Sequence, residues 1–287
     1  MRPDYRTRFA PSPTGPLHLG HAYSALLAED RARRAGGAFL LRIEDTDTAR
    51  CRPAYEAAIH DILGWLGLRW QPPVLRQSDH LARYRAALGT LIDAGLCYPC
   101  ACSRSDIRAA FSAPQEGAGH FGPDDPIYPG TCRGRGMAGM TSGHAVRLDI
   151  AKAIALLGDV GQLTVTETGP DRAGVWPLRR GELIDQIGDV VLARRDTGIA
   201  AYHLAVVVDD AAQGITEVVR GADIFEATKL HRLLQALLKL PVPDYHHHSL
   251  IRDDQGKRLA KRDDARALSK FRADGATPED IRRLVGL

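Results

Sequence analysis

The 287-residue sequence contains no long hydrophobic run. Its most apolar stretches, such as Leu204 to Val208, stop far short of the roughly 20 residues that a membrane-spanning helix needs. Residues 1–20 hold no uninterrupted apolar segment of the signal-peptide kind. The expectation is a cytoplasmic protein with no membrane partner. A large excess of one charge is missing too: 38 Lys and Arg face 35 Asp and Glu, a net +3. That excludes a chain that coats polyanions indiscriminately. Cysteine is sparse, five in all, and four of them fall between positions 97 and 132. In a reducing compartment such clustering argues for a metal rather than for disulfides. No internal repeat is present. The remainder, 44% hydrophobic and 25% charged, is ordinary for a globular enzyme. The length allows one large α/β domain with insertions, or two modest domains.

Periodicity gives a coarse order of elements. Phe9-Ala10 ends a first strand, Pro11 to Pro16 form a loop, and His18 to Ala35 is a helix stopped by Gly36-Gly37. Phe39 to Ile43 is a short buried strand. Pro53 to Gly64 and Leu81 to Ala94 are amphipathic helices, and between Cys97 and about Arg147 periodicity fades, as in an insertion. A helix over Ala151–Leu157 follows, then strands at Leu163–Thr168 and Val190–Ala193 and a core element over Ala201–Asp210. Val218-Val219 leads into Arg220, a long helix spans about Glu226 to Lys239, and Pro241–Tyr245 is a connector. The pattern predicts an α/β chain with a Rossmann-like doubly wound parallel sheet, interrupted by a connective insertion and closed by a short C-terminal helical tail. The expected divisions are 1–96 and 189–248 for the two halves of a nucleotide-binding catalytic domain, 97–188 for the insertion, and 249–287 for a basic loop and the tail.

Two motifs carry chemistry. His18-Leu19-Gly20-His21 places two histidines at i, i+3 on one helix face, and a helix N-terminus with its unpaired N–H groups suits a triphosphate. Far downstream, Gly256-Lys257-Arg258-Leu259-Ala260-Lys261-Arg262 offers a Gly-led cationic loop for the same phosphates. Taken alone, that run reads equally as a solvated basic stretch. The arginine clusters 31/33/34, 179/180, 194/195 and 282/283 read equally as solvated helix faces or as phosphate-contacting stripes.

Together, in this order, the two motifs resemble the HIGH and KMSKS signatures of class I aminoacyl-tRNA synthetases. Arg8-Phe9-Ala10-Pro11-Ser12-Pro13-Thr14-Gly15 and Arg42-Ile43-Glu44-Asp45-Thr46-Asp47 resemble the glutamyl branch specifically. The resemblance implies an ATP-dependent ligase that binds ATP through His18, Gly20, His21 and Lys261. His18, His21 and Lys261 would be its catalytic groups, with Mg²⁺ shielding the phosphates. It implies a glutamate pocket of Arg8, Ala10, Ser12, Glu44, Tyr202 and Arg220, in which guanidiniums select the diacid. Arg258 and Ala260 depart from the usual loop residues.

Spacing alone would let Cys97, Cys100, Cys102 and Cys132 form a four-sulfur Zn²⁺ site. The sequence also carries Cys100-x-Cys102 with Tyr128-x3-Cys132, which resembles the glutamyl-Q tRNA(Asp) synthetases, where a tyrosine takes the fourth position. Cys97, and more remotely His120, compete with Tyr128. Only 25 residues follow Arg262, too few for an anticodon-reading domain of on the order of 100 residues. The resemblance therefore implies activation of L-glutamate and its transfer to queuosine in the anticodon stem-loop of tRNA(Asp), by a monomer. The competing expectations are a shortened glutamyl-tRNA synthetase charging tRNA(Glu), and a non-catalytic synthetase-like RNA-binding protein. His246-His247-His248 is expected to be a polar strand entering the basic loop.

Overall fold

Short strands with apolar residues on both faces set the architecture. The computed structural model describes residues 4–107, 121–122, 125–251 and 266–287. The chain opens as β1 (Arg6–Phe9), α1 (Leu19–Ala35), β2 (Ala38–Ile43), α2 (Pro53–Trp65), β3 (Gln71–Arg76) and α3 (Leu81–Asp93). The insertion follows with β4 (Cys97–Cys100), the two-residue pair β5 (Phe121–Gly122) and β6 (Asp125–Pro126), and β7 (Ala145–Leu148). After it come α4 (Ile150–Leu157), β8 (Thr164–Glu167), β9 (Gly174–Pro177) and β10 (Val191–Ala193). The second half holds α5 (Tyr202–Ala212), β11 (Glu217–Gly221), α6 (Ala227–Leu237) and β12 (Asp244–His248), and the tail is α7 (Leu268–Ala273) and α8 (Pro278–Leu284).

β1, β2 and β3 pair in parallel, as do β11, β12 and β8, with β9 antiparallel at the edge. The two groups meet where the Thr216 amide donates to the Arg6 carbonyl at 2.9 Å. Strand order therefore reverses between β1 and β11, and a ligand crevice is expected at the carboxyl ends there. Both faces are covered. Phe39, Leu41 and Ile43 of β2 pack with α1, α2 and the tail, whereas Ala38 and Leu40 pack with α3, α5 and α6. Alternation along the strand produces that division. At the turn after α1, Gly36 takes φ 71°, and a Cβ on Gly37 would lie 2.2 Å from the Tyr5 carbonyl oxygen. The pair of glycines is thus what lets β2 return alongside β1.

Three expectations need adjustment. β8 lies within 97–188 but joins β12 in the parallel sheet, and β10 lies within 189–248 but pairs with β7. Which sheet a three- or four-residue strand joins depends on packing, not on its own composition. The connector expected through Tyr245 ends earlier, because β12 begins at Asp244. Finally, His246–His248 does form a strand, yet it is a buried one, with exposures of 8%, 3% and 3%. Among the described residues no helix is long and apolar enough to cross a membrane.

Candidate active site

α1 is capped by its own motif. His18 is the N-cap, and its Nδ1 accepts from the Gly20 amide at 3.1 Å, while the His18 amide donates to Nδ1 of His21 at 3.1 Å. This is a capping box built from imidazoles rather than from Ser and Glu. Because each Nδ1 accepts, the proton of each neutral ring sits on Nε2, the nitrogen that can donate to a phosphate. The rings lie 3.8 Å apart between centroids. A Cβ on Gly20 would come within 3.1 Å of His18 Cε1, so a side chain there would push the ring out of place.

Strand parity assembles the polar pocket. Arg8 on β1 and Arg42 on β2 point to the face covered by α5, where Asp210 meets both. Arg8 Nε donates to Asp210 Oδ1 at 2.9 Å and Nη2 to Oδ2 at 3.3 Å; Arg42 Nη1 donates to Oδ1 at 2.6 Å. Burial alone would raise the Asp210 carboxyl, but the guanidiniums of Arg8 and Arg42 outweigh it and bring it down to about 2. Arg42 also donates to Glu44 at 3.1 Å, just past the end of β2. Burial pushes Glu44 upward, opposed by Arg42 and Arg8.

On the other side of the strand-order switch, β11 presents Arg220, 6% exposed. Its Nε donates to His247 Nε2 at 3.0 Å, Nη1 lies 3.2 Å from His231 Nδ1, and Nη2 donates to Thr228 Oγ1 at 2.6 Å and to the Ile224 carbonyl at 3.3 Å. Among the described residues it forms no ion pair. Burial and the nearby Arg220 charge hold His231 well below its ordinary value; burial lowers His247 too, despite a hydrogen bond from its Nδ1 to Glu167.

Arg8, Glu44 and Arg220 line one cavity of about 310 Å³ together with Ala10, His18, Gly20, His21 and Tyr202, while Asp210, His231 and His247 stand behind its wall. Tyr202 is 40% exposed at the start of α5. Ser12 is not among the residues lining this cavity. It lines a larger adjoining space of about 1300 Å³ that shares Ala10, His21, Glu44 and Tyr202 and extends to Arg194 and Tyr128. Lys261, with Arg258 and Ala260, lies outside the described residues, as does His120. The sequence reading missed Arg42, Asp210, Thr228, His231, His247 and Glu167. The signals were present: two acids near the end of an apolar helix at Asp209-Asp210, and Arg42 two residues after the core residue Leu40 on the same strand face.

The insertion gathers a second cluster. Sγ atoms of Cys100, Cys102 and Cys132 all lie within 4.8 Å of one another, and Cys102 and Cys132 are 3.6 Å apart. Tyr128 Oη is 3.4 Å from Sγ of both Cys100 and Cys102 and accepts from the Cys132 amide at 2.8 Å. A tetrahedral zinc with Zn–S of 2.3 Å and Zn–O near 2.0 Å requires S–S edges of about 3.8 Å and S–O edges of about 3.5 Å. The Cys102–Cys132 distance and the two Tyr128–sulfur distances match those edges. Cys97 sits elsewhere, packed with Leu96 and Leu148 in the main core, where burial pushes its thiol up to about 12.

Residues 4–127 and 182–287 match the family model for the catalytic domain of class I tRNA synthetases (E and Q). A glutamyl-Q tRNA(Asp) synthetase of Rhodobacter capsulatus is 58% identical over 286 residues, 98% of this chain and 99% of that protein. One from Symbiobacterium thermophilum is 43% identical over 96% of this chain and 83% of its own length. Among solved structures, a glutamate tRNA ligase of Elizabethkingia meningosepticum, in complex with its amino acid, superposes with a TM-score of 0.76 at 26% identity. That match covers 99% of this chain but 60% of the ligase. A methionyl-tRNA synthetase of Mycobacterium tuberculosis, at 13% identity and TM-score 0.65, shares the fold. With a full-length match at this identity and the family's catalytic model spanning most of the sequence, the chain belongs to the class I glutamyl and glutaminyl tRNA synthetases, in the family of the glutamyl-Q tRNA(Asp) synthetases.

Proposed function

We propose that the chain activates L-glutamate with ATP and transfers it to queuosine in the anticodon stem-loop of tRNA(Asp), acting as a monomer in the cytoplasm. The observation that carries this reading is the single cavity in which His18 and His21 adjoin Arg8, Glu44 and Arg220. The triphosphate lies at the N-terminus of α1, where the backbone dipole is positive and the two Nε2–H groups donate to phosphate oxygens. Glutamate takes Arg8 and Arg220 for its carboxylates and Glu44 for its ammonium, with Ala10 and Tyr202 as walls and Ser12 at the exit. Its α-carboxylate oxygen attacks the α-phosphorus, and the bond to the bridging oxygen of pyrophosphate breaks. Lys261 neutralises the departing pyrophosphate. Mg²⁺, when bound, shields the phosphate charge. A ring hydroxyl of queuosine then attacks the glutamyl carbonyl and AMP leaves; the larger adjoining space is where the anticodon loop enters, splayed as single-stranded RNA is usually read.

Cys100, Cys102, Cys132 and Tyr128 would hold Zn²⁺ in a structural role, which would tie β4 to the loop before β7. ATP–pyrophosphate exchange tests the first half-reaction. Exchange that depends on glutamate, in the absence of tRNA, supports the reading; no exchange with glutamate at any tRNA addition rejects it in favour of a non-catalytic RNA-binding protein.

A further inference from the structure

The arginines of the pocket are compensated unequally. Arg8 and Arg42 share the carboxylate of Asp210, and Arg42 also meets Glu44. Asp209, next to Asp210, is occupied by Arg83, Tyr84 and Gln77 on α3 and its approach. Arg220 instead is surrounded by neutral acceptors: two imidazoles, a hydroxyl and a peptide carbonyl. Among the described residues Arg220 is thus the guanidinium of the three with no carboxylate in direct contact; Glu167 stands behind it, beyond the ring of His247. Zwitterionic glutamate carries one net negative charge, whereas glutamine carries none.

Proton positions follow along the chain of contacts. A guanidinium only donates, so Nε2 of His247 and Nδ1 of His231 must accept from Arg220. His247 is then protonated at Nδ1, which faces Glu167, and the Glu167 carboxylate accepts there while also accepting from the His247 and Gly169 amides at 2.9 and 2.6 Å. His231 is protonated at Nε2, which lies 3.0 Å from Nδ1 of His203 on α5. Glu167 on β8, His247 on β12, Arg220 on β11 and His231 on α6 thus form one buried line. Each is at most 6% exposed. Four of the five N–H groups of Arg220 are used by it, leaving one Nη1 proton for the cavity. With either ring in its other tautomer, two hydrogens would face each other, and Arg220 would turn away.

We propose that Glu167, His247, His231 and Thr228 are positioning residues that aim Arg220, a guanidinium touching no carboxylate among the described residues, at the substrate, and that this arrangement sets the preference for glutamate over glutamine. The proposal rests on the glutamate-activating reading above. None of the four is a catalytic residue; each acts through Arg220. His231 and Thr228 accept its protons directly, and Glu167 selects the tautomer of His247.

The test is ATP–pyrophosphate exchange on the full chain, with wild type, Glu167→Gln, His231→Phe and Thr228→Val. Wild-type exchange with glutamate comes first, since its absence rejects the functional reading without bearing on the positioning line. Given wild-type exchange, the variants should raise the glutamate KM about tenfold or more, as expected when a hydrogen bond to a charged group is lost. The ATP KM and kcat should change less than about threefold, and the advantage of glutamate over glutamine should shrink. A merely structural role would move both KM values together. Unchanged glutamate KM, or parallel loss for both substrates, overturns the proposal. Thr228→Val keeps the side-chain shape and retains a folded readout if Glu167→Gln unfolds; a Thr228→Val protein with wild-type glutamate KM and selectivity also overturns it.

Discussion

Asp210 accepts hydrogen bonds from two buried guanidiniums more than 160 residues away in sequence, and its removal would leave both charges facing a neutral amide. Breaking a buried pair of this kind costs about 3–5 kcal/mol. Asp210→Asn is therefore expected to lower the free energy of unfolding by about that amount and to raise the glutamate KM, measured by urea denaturation and exchange kinetics. A loss below about 1 kcal/mol would mean that Arg8 and Arg42 find other partners, as for an exposed pair. The buried histidines give a pH dependence of the same direction. His231, His246, His247 and His248 are all held below the ordinary imidazole value, chiefly by burial. Below about pH 6.5 the unfolded chain binds protons that the folded chain refuses, so their contribution is complete above that pH and is lost as the pH falls. The Asp210 contribution persists to lower pH, fading between its ordinary range and about 2. The urea midpoint should fall steadily from pH 7 to pH 5 and again below pH 4; a flat profile from 7 to 5 contradicts the neutral, buried state of the rings. Arg8, Glu44 and Arg220 were legible in the sequence because they sit in motifs. Asp210 and His231 were not, because their partners come from elements paired only in three dimensions.

At the scale of elements, period-two alternation explains most of the site. Leu40 and Arg42 share a face of β2, as do Val218 and Arg220 on β11, and Tyr245 and His247 on β12. Each strand therefore gives apolar residues to the core under α5 and α6 and one polar residue at its carboxyl end. The same alternation was visible at Phe39–Ile43, and the strand at His246–His248 was expected, but its burial was not, since the donors and acceptors that cover it come from elements paired only in three dimensions. The insertion shows the complementary lesson. Spacing offered four cysteines, and strand β4 separates them: Cys97 packs into the main core while Cys100 faces Tyr128 and Cys132. Metal analysis of protein purified under reductant is expected to find about one zinc per chain, as one set of four ligands holds one ion, and to find it lost in Cys132→Ser but kept in Cys97→Ser. Zinc lost in Cys97→Ser as well as in Cys132→Ser, but kept in Tyr128→Phe, would transfer the fourth position from Tyr128 to Cys97.

The whole molecule is closed by its tail. The Leu268 amide donates to the Leu17 carbonyl at 2.8 Å, Ala267 bridges to His18, and Arg282 holds Asp30 of α1 at 2.9 Å. Ile251, on the other side of the basic loop, lines the cavity. Both flanks of the segment bearing Lys261 therefore stand at the histidine motif, which is where a cation for pyrophosphate is required. Lys261→Ala should reduce the exchange kcat about 100-fold, typical for removal of one preorganised charge-stabilising group, while glutamate binding stays measurable by calorimetry; an unchanged kcat removes Lys261 from the chemistry. The main helices and the strands at Phe39–Ile43, Leu163–Thr168 and Val190–Ala193 were readable from the chain, since composition marks them well; the strands β3, β4, β7 and β9 and the sharing of strands between insertion and catalytic halves were not, since such short strands carry no mark of the sheet they join. The decisive measurement is transfer of labelled glutamate to three RNAs: tRNA(Asp) with queuosine, tRNA(Asp) without it, and tRNA(Glu). Label on the queuosine-containing tRNA(Asp) alone is the expected result, and label on tRNA(Glu) or on unmodified tRNA(Asp) would contradict it.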